Sequence, residues 1–332
     1  MSSNIRIVFL GLTGYLGGTL LEALLTHPNA SQFDITAFVR SEEKASDINN
    51  TALGVKAISG TFSKLEEAVS IADVVFNIAS SDDLPMTQAI IDGARKRYAS
   101  TKTAPVVIHV SGSAIIADFA GGQHLNDKRF IATSDIPLAE AHEQGFLKSY
   151  ILAPPLIWGL ATGRFVDAGL QNPAFSSIKL LSRIVKRRGV FGFVGPQLNA
   201  WSTIEVHDLA QLIVTMFNTV VIKHKEIAGG KAYYFSANGD VVSKEYLSRI
   251  AHAMHKYGLT KTADITEFTP EEIAKWPILN AFAINSRTTD ARSRSLGWAP
   301  VHTVPEFLDS IDESIKVISI QKEDFGAHWM EV

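Results

Sequence analysis

The chain has 332 residues, 46% of them hydrophobic and 20% charged, with a formal net charge of -3. That composition suits a soluble globular protein with a large core, and the charge gives no electrostatic case for nucleic acid or an anionic membrane surface. There is no cysteine, which excludes disulfides, cysteine–zinc sites and thiol catalysis together.

Met1-Ser2-Ser3-Asn4 leads directly into an apolar run, Ile5-Arg6-Ile7-Val8-Phe9-Leu10. No basic leader precedes it, and the later apolar stretches are only strand-length, so neither a signal peptide nor a membrane span is expected and the cytoplasm is the default location. The run ends in glycines at 11, 14 and 17, and a helical pattern follows on Leu16, Leu20, Leu24 and Leu25. Strand, tight turn and helix in that order are the context that gives a glycine motif its meaning. Gly11 can take a backbone conformation closed to other residues, Gly14 lets a pyrophosphate approach the main chain, and Gly17 lets the helix sit close to the strand. The free N–H groups and positive dipole end of that helix then face the phosphates.

Further strands are predicted at 33–39, 55–59, 72–79, 105–110 and 149–152, with a helix over 84–99 that carries Pro85 in its first turn. Val74-Val75-Phe76 suits a strand buried on both faces. Strands alternating with helices predict an α/β fold, a Rossmann doubly wound parallel sheet with its ligand at the carboxyl ends of the strands. The second half is less regular. Helices are predicted at 176–188, 206–218, 243–257 (capped by Ser243) and 304–317, with another starting at 271–275 after Pro270; 231–236 reads as a strand, and 189–200 is rich in Gly and Pro.

The segment Gly11-Leu12-Thr13-Gly14-Tyr15-Leu16-Gly17-Gly18 resembles the short-chain dehydrogenase/reductase superfamily, in particular its extended, epimerase/dehydratase-like branch. Ala153-Pro154-Pro155-Leu156-Ile157-Trp158-Gly159 resembles that branch after its sixth strand, Glu205-Val206-His207-Asp208-Leu209-Ala210 its His-Val-Asp-Asp-Leu-Ala segment, and Leu296-Gly297-Trp298-Ala299-Pro300 its C-terminal turn. The resemblance implies an NADP-binding Rossmann domain over 1–158 with 204–237. A smaller, mostly helical substrate subdomain would span 159–203 with 238–332. It implies a small-molecule substrate and a monomer or homodimer.

The second strand ends in Arg40, where an NAD-binding unit usually has an acid on the ribose 2′-hydroxyl. A guanidinium binds a 2′-phosphate with paired donors and a carboxylate repels it, so NADP(H) is expected as the cofactor. The other reading leaves Arg40 as a solvated charge, with Glu42 or Glu43 reaching the ribose. The resemblance implies cofactor contacts at Gly11, Thr13, Gly14, Tyr15, Leu16 and Gly17. It adds Thr61 (where the family usually has an acid near the adenine), Ala79, Ser80, Ser111, Pro155 and Ile157.

Reductases of this superfamily use a Ser after the fifth strand with a Tyr and a Lys four residues apart on the next helix. Ser113 matches the Ser. No tyrosine lies between Tyr98 and Tyr150, and Tyr98 with Lys102 precedes the fifth strand, where it reads as a surface pair. Two readings stay open. In one, the protein is an NADP(H)-dependent oxidoreductase, a reductase of a small carbonyl-type substrate, and His142 or His124 handles the proton. In the other, it keeps the pocket for an isomerase, epimerase, cyclase or lyase reaction, or for sensing the nucleotide. No metal is expected, since His252 and His255 sit one helical turn apart without evident partners. Phe165, Phe175, Phe191, Phe193 and Trp201 make 160–201 aromatic-rich, which favours an apolar or aromatic substrate if they line the pocket.

Overall fold

The computed structural model describes residues 4–118, 121–122 and 134–321. The first half alternates strand and helix: β1 (Ile5–Leu10), α1 (Tyr15–Leu25), β2 (Phe33–Val39), α2 (Glu42–Asn49), β3 (Lys56–Ser59), α3 (Phe62–Val69), β4 (Val74–Asn77), α4 (Leu84–Thr101), β5 (Val106–Val110), α5 (Asp135–Glu143) and β6 (Lys148–Ala153). Short elements then mix with long helices: β7 (Leu156–Trp158), α6 (Arg164–Asp167), α7 (Ser176–Arg188), β8 (Phe191–Phe193), β9 (Ala200–Glu205) and α8 (Val206–Phe217). Last come β10 (Tyr234–Phe235), β11 (Asp240–Val242), α9 (Ser243–Lys256), β12 (Ile265–Glu267), α10 (Pro270–Lys275), α11 (Ala291–Arg294) and α12 (Val304–Ile320).

The main sheet has seven strands in the order β10-β6-β5-β4-β1-β2-β3, and every pairing in it is parallel. β1 lies between β2 and β4, so the chain turns outward in opposite directions from it. That switch point opens a crevice at the carboxyl ends of β1 and β4, where Leu10 registers with Asn77. The period-2 pattern splits each strand between two cores. Phe9, Phe76, Ile108 and Leu152 face α1 and α8, while Val8, Val75 and Val107 face α3, α4 and α5. Phe76 is fully buried, which contributes roughly 2–3 kcal/mol. A third core joins α7, α9 and α12, with Leu181, Ile184, Ile250, Met254, Phe307 and Ile311 at its centre.

Side-chain caps set several helix starts. Ser41 accepts from Lys44 N at 3.3 Å and Asp83 from Met86 N at 2.9 Å, while Thr269 with Glu272 and Thr303 with Glu306 form capping boxes. Ser243 is not a cap. It is the first residue inside α9, buried, and Val242 occupies the cap position. The predicted strand at 231–236 shrinks to Tyr234–Phe235, because only those two residues find partners, on β6. Within the stretch expected to be irregular, Phe191–Phe193 becomes a strand by pairing with Ile265–Glu267. Arg188 fastens that pair: it donates to Glu272 at 2.7 Å, to Phe191 O and to Glu267 O, and lies over the Phe268 ring.

Candidate dinucleotide and active site

The glycine turn closes on itself. Gly14 N donates to Gly11 O at 2.9 Å, and α1 starts at Tyr15 with no side chain capping it. Its first-turn N–H groups are therefore left for a ligand. Gly11 has φ +86°, and a Cβ there would stand 2.7 Å from the backbone of Ile78 and Ala79. A Cβ on Gly17 would stand 2.0 Å from Gly11 O. These are the close approaches that a pyrophosphate-binding turn needs, so the residues present fit a dinucleotide.

Two neighbours had no signal in the sequence. Gln171 Nε2 donates to Tyr15 O at 2.9 Å across 156 residues, and its side chain fills the space a Cβ on Gly18 would take. Asn172 N donates to Thr13 O at 3.0 Å. Tyr15 and Leu16 are buried. The Tyr15 hydroxyl donates to Gly159 O at 2.7 Å, and burial holds its phenol well above the usual tyrosine range. Of the contact expected at Tyr15, only the main chain is therefore open to a ligand.

Arg40 is exposed immediately after β2. Val39 registers with Ser59, so the ends of β2 and β3 lie side by side. Lys64 Nζ donates to Ser59 O at 2.7 Å, and the Lys64 stem covers Gly60. Thr61 caps α3 by position only, with no side-chain bond to it. Ala79 is exposed beyond β4, and Ser80 Oγ accepts from Asp82 N at 3.1 Å. Pro155 is buried and Ile157 is packed partly buried on the α8-side core.

The predicted catalytic residues separate. Ser113 follows β5 as expected but is buried, with its Oγ 2.6 Å from Ser286 Oγ, and Ser286 Oγ is also 2.9 Å from Ser113 O. Ser113 does not face an open cleft, because residues 283–286 are strapped across the turn. Asn285 N donates to Asp118 at 2.8 Å and Gly122 N to Ala283 O at 2.6 Å. Ser111 is also corrected as a cofactor contact: its hydroxyl turns into the protein and donates to Asp135 at 2.8 Å. His142 sits at the far end of α5, on the amino edge of the sheet. There its Nδ1 accepts from Ser149 N at 3.0 Å, and Gly229 packs against the ring. Burial, then the Lys148 charge, lower its pKa. It is a structural pin at the wrong end of the strands for catalysis. His124 lies outside the described residues. Tyr98 and Lys102 close α4 on that same amino edge.

The aromatic segment is mostly core. Phe165 and Phe191 are fully buried, and Phe175 packs on Tyr15. Phe193 is partly buried against the α7–α9–α12 core, and Trp201 is partly buried and bridges to Ser286.

Glu205, Asp208 and His302 place one ligand atom each within 4.8 Å of one another. Their oxygens are already engaged. Glu205 accepts from His207 N and Asp208 N, and Asp208 Oδ2 accepts from Val301 N, His302 N and His302 Nδ1. The group caps α8 and anchors the C-terminal turn. His207 Nδ1 lies 2.8 Å from Glu205, whose hydrogen bond raises the imidazole pKa. A raised folded pKa means stability that is complete below the unfolded value and lost as pH rises through the folded one. Denaturant unfolding should therefore give lower stability at about pH 9 than at about pH 6, and H207Q should flatten that difference. An unchanged pH dependence in H207Q would assign the slope to other groups.

Residues 11–118 match the NAD(P)H-binding family. Together with the parallel sheet, that match makes residues 11–118 a Rossmann unit of the NAD(P)H-binding type. Over nearly its whole length the chain is similar to the oxidase ucsJ of Acremonium sp., 27% identical over 89% of this chain and 93% of that protein. Its fold is similar to that of UDP-glucuronic acid 4-epimerase from Bacillus cereus in complex with NAD (TM-score 0.63, 13% identity, 95% of this chain and 100% of that one). It is also similar to dTDP-glucose 4,6-dehydratase from Bacillus anthracis in complex with NAD (TM-score 0.62, 13% identity, 96% and 97%). Among the described residues no helix is long and apolar enough to cross a membrane.

Proposed function

We propose that the protein is an NADP(H)-dependent oxidoreductase acting on a small organic carbonyl or alcohol. The observation that carries this reading is the glycine turn at the β1/β4 switch point with Arg40 at the end of β2 beside it. Similarity to a protein named an oxidase supports redox chemistry. In the proposed division the substrate unit is built of 159–203 with 238–332.

When bound, the nicotinamide supplies or accepts a hydride. The chain holds the pyrophosphate on the α1 amino end and reads the adenosine ribose at the ends of β2 and β3. Arg40 and Lys64 give that edge positive charge, which favours a 2′-phosphate over a bare hydroxyl. R40A should weaken NADPH binding by roughly 10- to 100-fold, the size of one or two charge-assisted hydrogen bonds, and leave NADH binding nearly unchanged. Fluorescence titration of both cofactors checks this. Tighter NADH binding by the wild type, insensitive to R40A, would overturn the NADP assignment.

A second reading, a non-redox isomerase or lyase or a nucleotide sensor, is favoured by one observation: Ser113 is sealed under Ser286. Assay of NADPH oxidation against aldehydes, ketones and enones separates the two. Tight NADPH binding without oxidation by any of them selects the second.

A further inference from the structure

The loop before α7 reaches back to the first turn of α1. Gln171 and Asn172 on it are both buried, 2% and 3% exposed. Gln171 Nε2 donates to Tyr15 O at 2.9 Å and to Thr19 Oγ1 at 3.2 Å, and Thr19 Oγ1 donates to the same Tyr15 O at 2.9 Å. One main-chain oxygen in the first turn of α1 thus receives two side-chain donors. A Cβ on Gly18 would stand 2.2 Å from Gln171 Cδ and Oε1, so a glycine is what lets the amide lie this close to the helix. Asn172 N donates to Thr13 O at 3.0 Å, and Asn172 Oδ1 accepts from Gln321 Nε2 at 3.3 Å, just past the end of α12. The start of the same loop is tied to α1 as well, by Tyr15 Oη on Gly159 O and by Arg164 Nε on the Glu22 carboxylate.

Tyr15 O and Leu16 N–H belong to one planar, conjugated peptide unit. Donors on the oxygen draw electron density from the nitrogen and make the N–H on the far side a stronger donor. Hydrogen bonds linked in this way strengthen one another by roughly 10–30% each. Leu16 N–H is one of the first-turn donors left open by the uncapped start of α1. We propose that Gln171, with Thr19, is a positioning residue for the dinucleotide: it polarises the first turn of α1 toward a pyrophosphate and couples the loop before α7 to that ligand. This rests on the dinucleotide reading above and names the part of the ligand that the pair senses. A neutral amide suits the task, since it adds a donor without burying a charge. Asn172 holds the preceding carbonyl of the turn through its own main chain, so the loop fixes Thr13 O and Tyr15 O together. Linkage makes the coupling reciprocal: what the dinucleotide gains from the loop, the loop gains from the dinucleotide.

The test uses Q171M and T19V in the full chain, which keep the bulk of the native side chains and remove their donors. Affinity is measured for NADPH, NADH and ADP-ribose, which carry a pyrophosphate, and by competition for adenosine 2′-monophosphate, which does not. Q171M should weaken the three pyrophosphate ligands by a common factor of about 5, the size of one ordinary hydrogen bond, and leave adenosine 2′-monophosphate unchanged. T19V should act in the same direction on the same ligands, and it decides alone if Q171M does not fold. Hydrogen exchange reads the reciprocal effect: NADPH should slow exchange of the Asn172 N–H in the wild type, and less so in the variant. Wild-type affinity of the variants for the pyrophosphate ligands overturns the proposal and leaves the dinucleotide reading standing. An equal loss for all of the ligands, adenosine 2′-monophosphate included, marks a general packing role and overturns it too. Exchange at Asn172 that is indifferent to NADPH overturns the coupling. A wild type that binds none of the pyrophosphate ligands overturns the dinucleotide reading itself.

Discussion

G17A should bind NADPH at least about 10²-fold more weakly than the wild type and lose about 3 kcal/mol of stability. The added methyl would lie 2.0 Å from Gly11 O and 2.7 Å from Gly11 C, both main-chain atoms that cannot swing aside. Either α1 moves off β1 or the turn opens. Opening the turn displaces the N–H groups at the start of α1, and moving the helix uncovers Leu20, Leu21 and Leu24, all fully buried. Binding and stability therefore fall together, which distinguishes this glycine from one that merely lines a ligand. Gly112 is the control: it has extended backbone and nothing within 4 Å of an added Cβ. G112A should change stability by no more than about 0.5 kcal/mol. Tryptophan fluorescence titration and denaturant unfolding check both variants. A folded G17A with wild-type affinity would remove the close helix–strand contact from the account of the site.

D208A should be the most damaging substitution outside the glycine turn, at about 3 kcal/mol or more. Asp208 is buried, and its Oδ2 receives Val301 N at 3.0 Å, His302 N at 2.9 Å and His302 Nδ1 at 3.1 Å. Alanine leaves two partly buried backbone donors without a partner. The cost of such orphans exceeds the net worth of the bonds themselves, because water does not replace the lost acceptor. D208N keeps an oxygen in place and should cost less than half as much. The main-chain bond from Trp298 Nε1 to Asp208 O at 2.8 Å survives in both, so a shift in tryptophan emission on D208A reports movement of the whole 298–302 turn. Equal stability of D208A and D208N would mean that charge, not the acceptor oxygen, anchors the turn.

The parts of the fold that were readable in advance are those with a strong local pattern. α7 runs over 176–188 as its apolar spacing predicts, and β2 over 33–39. β1, the glycine turn and α1 form one contiguous unit whose geometry is set by neighbouring residues. Short strands were not readable. β8 and β12 are each three residues long and exist because they meet each other across more than seventy positions of chain. No window of sequence carries that pairing. The same holds for Gln171, a loop residue whose only mark is the partner it reaches.

The candidate site divides in the same way. By itself the sequence determined the parallel sheet, the tight glycine turn between β1 and α1, the cation at the end of β2 and the lack of a tyrosine on α5. Those features depend on residue type and near-neighbour spacing: a Cβ either fits beside Gly11 O or does not, and a guanidinium either ends the strand or does not. Only the tertiary structure decided which polar side chains are accessible. It sealed Ser113 with Ser286 from 173 residues away, turned Ser111 inward onto Asp135, and put His142 at the amino edge. Serine, histidine and tyrosine read alike in a sequence whether they face ligand or core. Their chemistry is set by solvent access and by hydrogen-bond partners, and both come from chain that is distant in sequence.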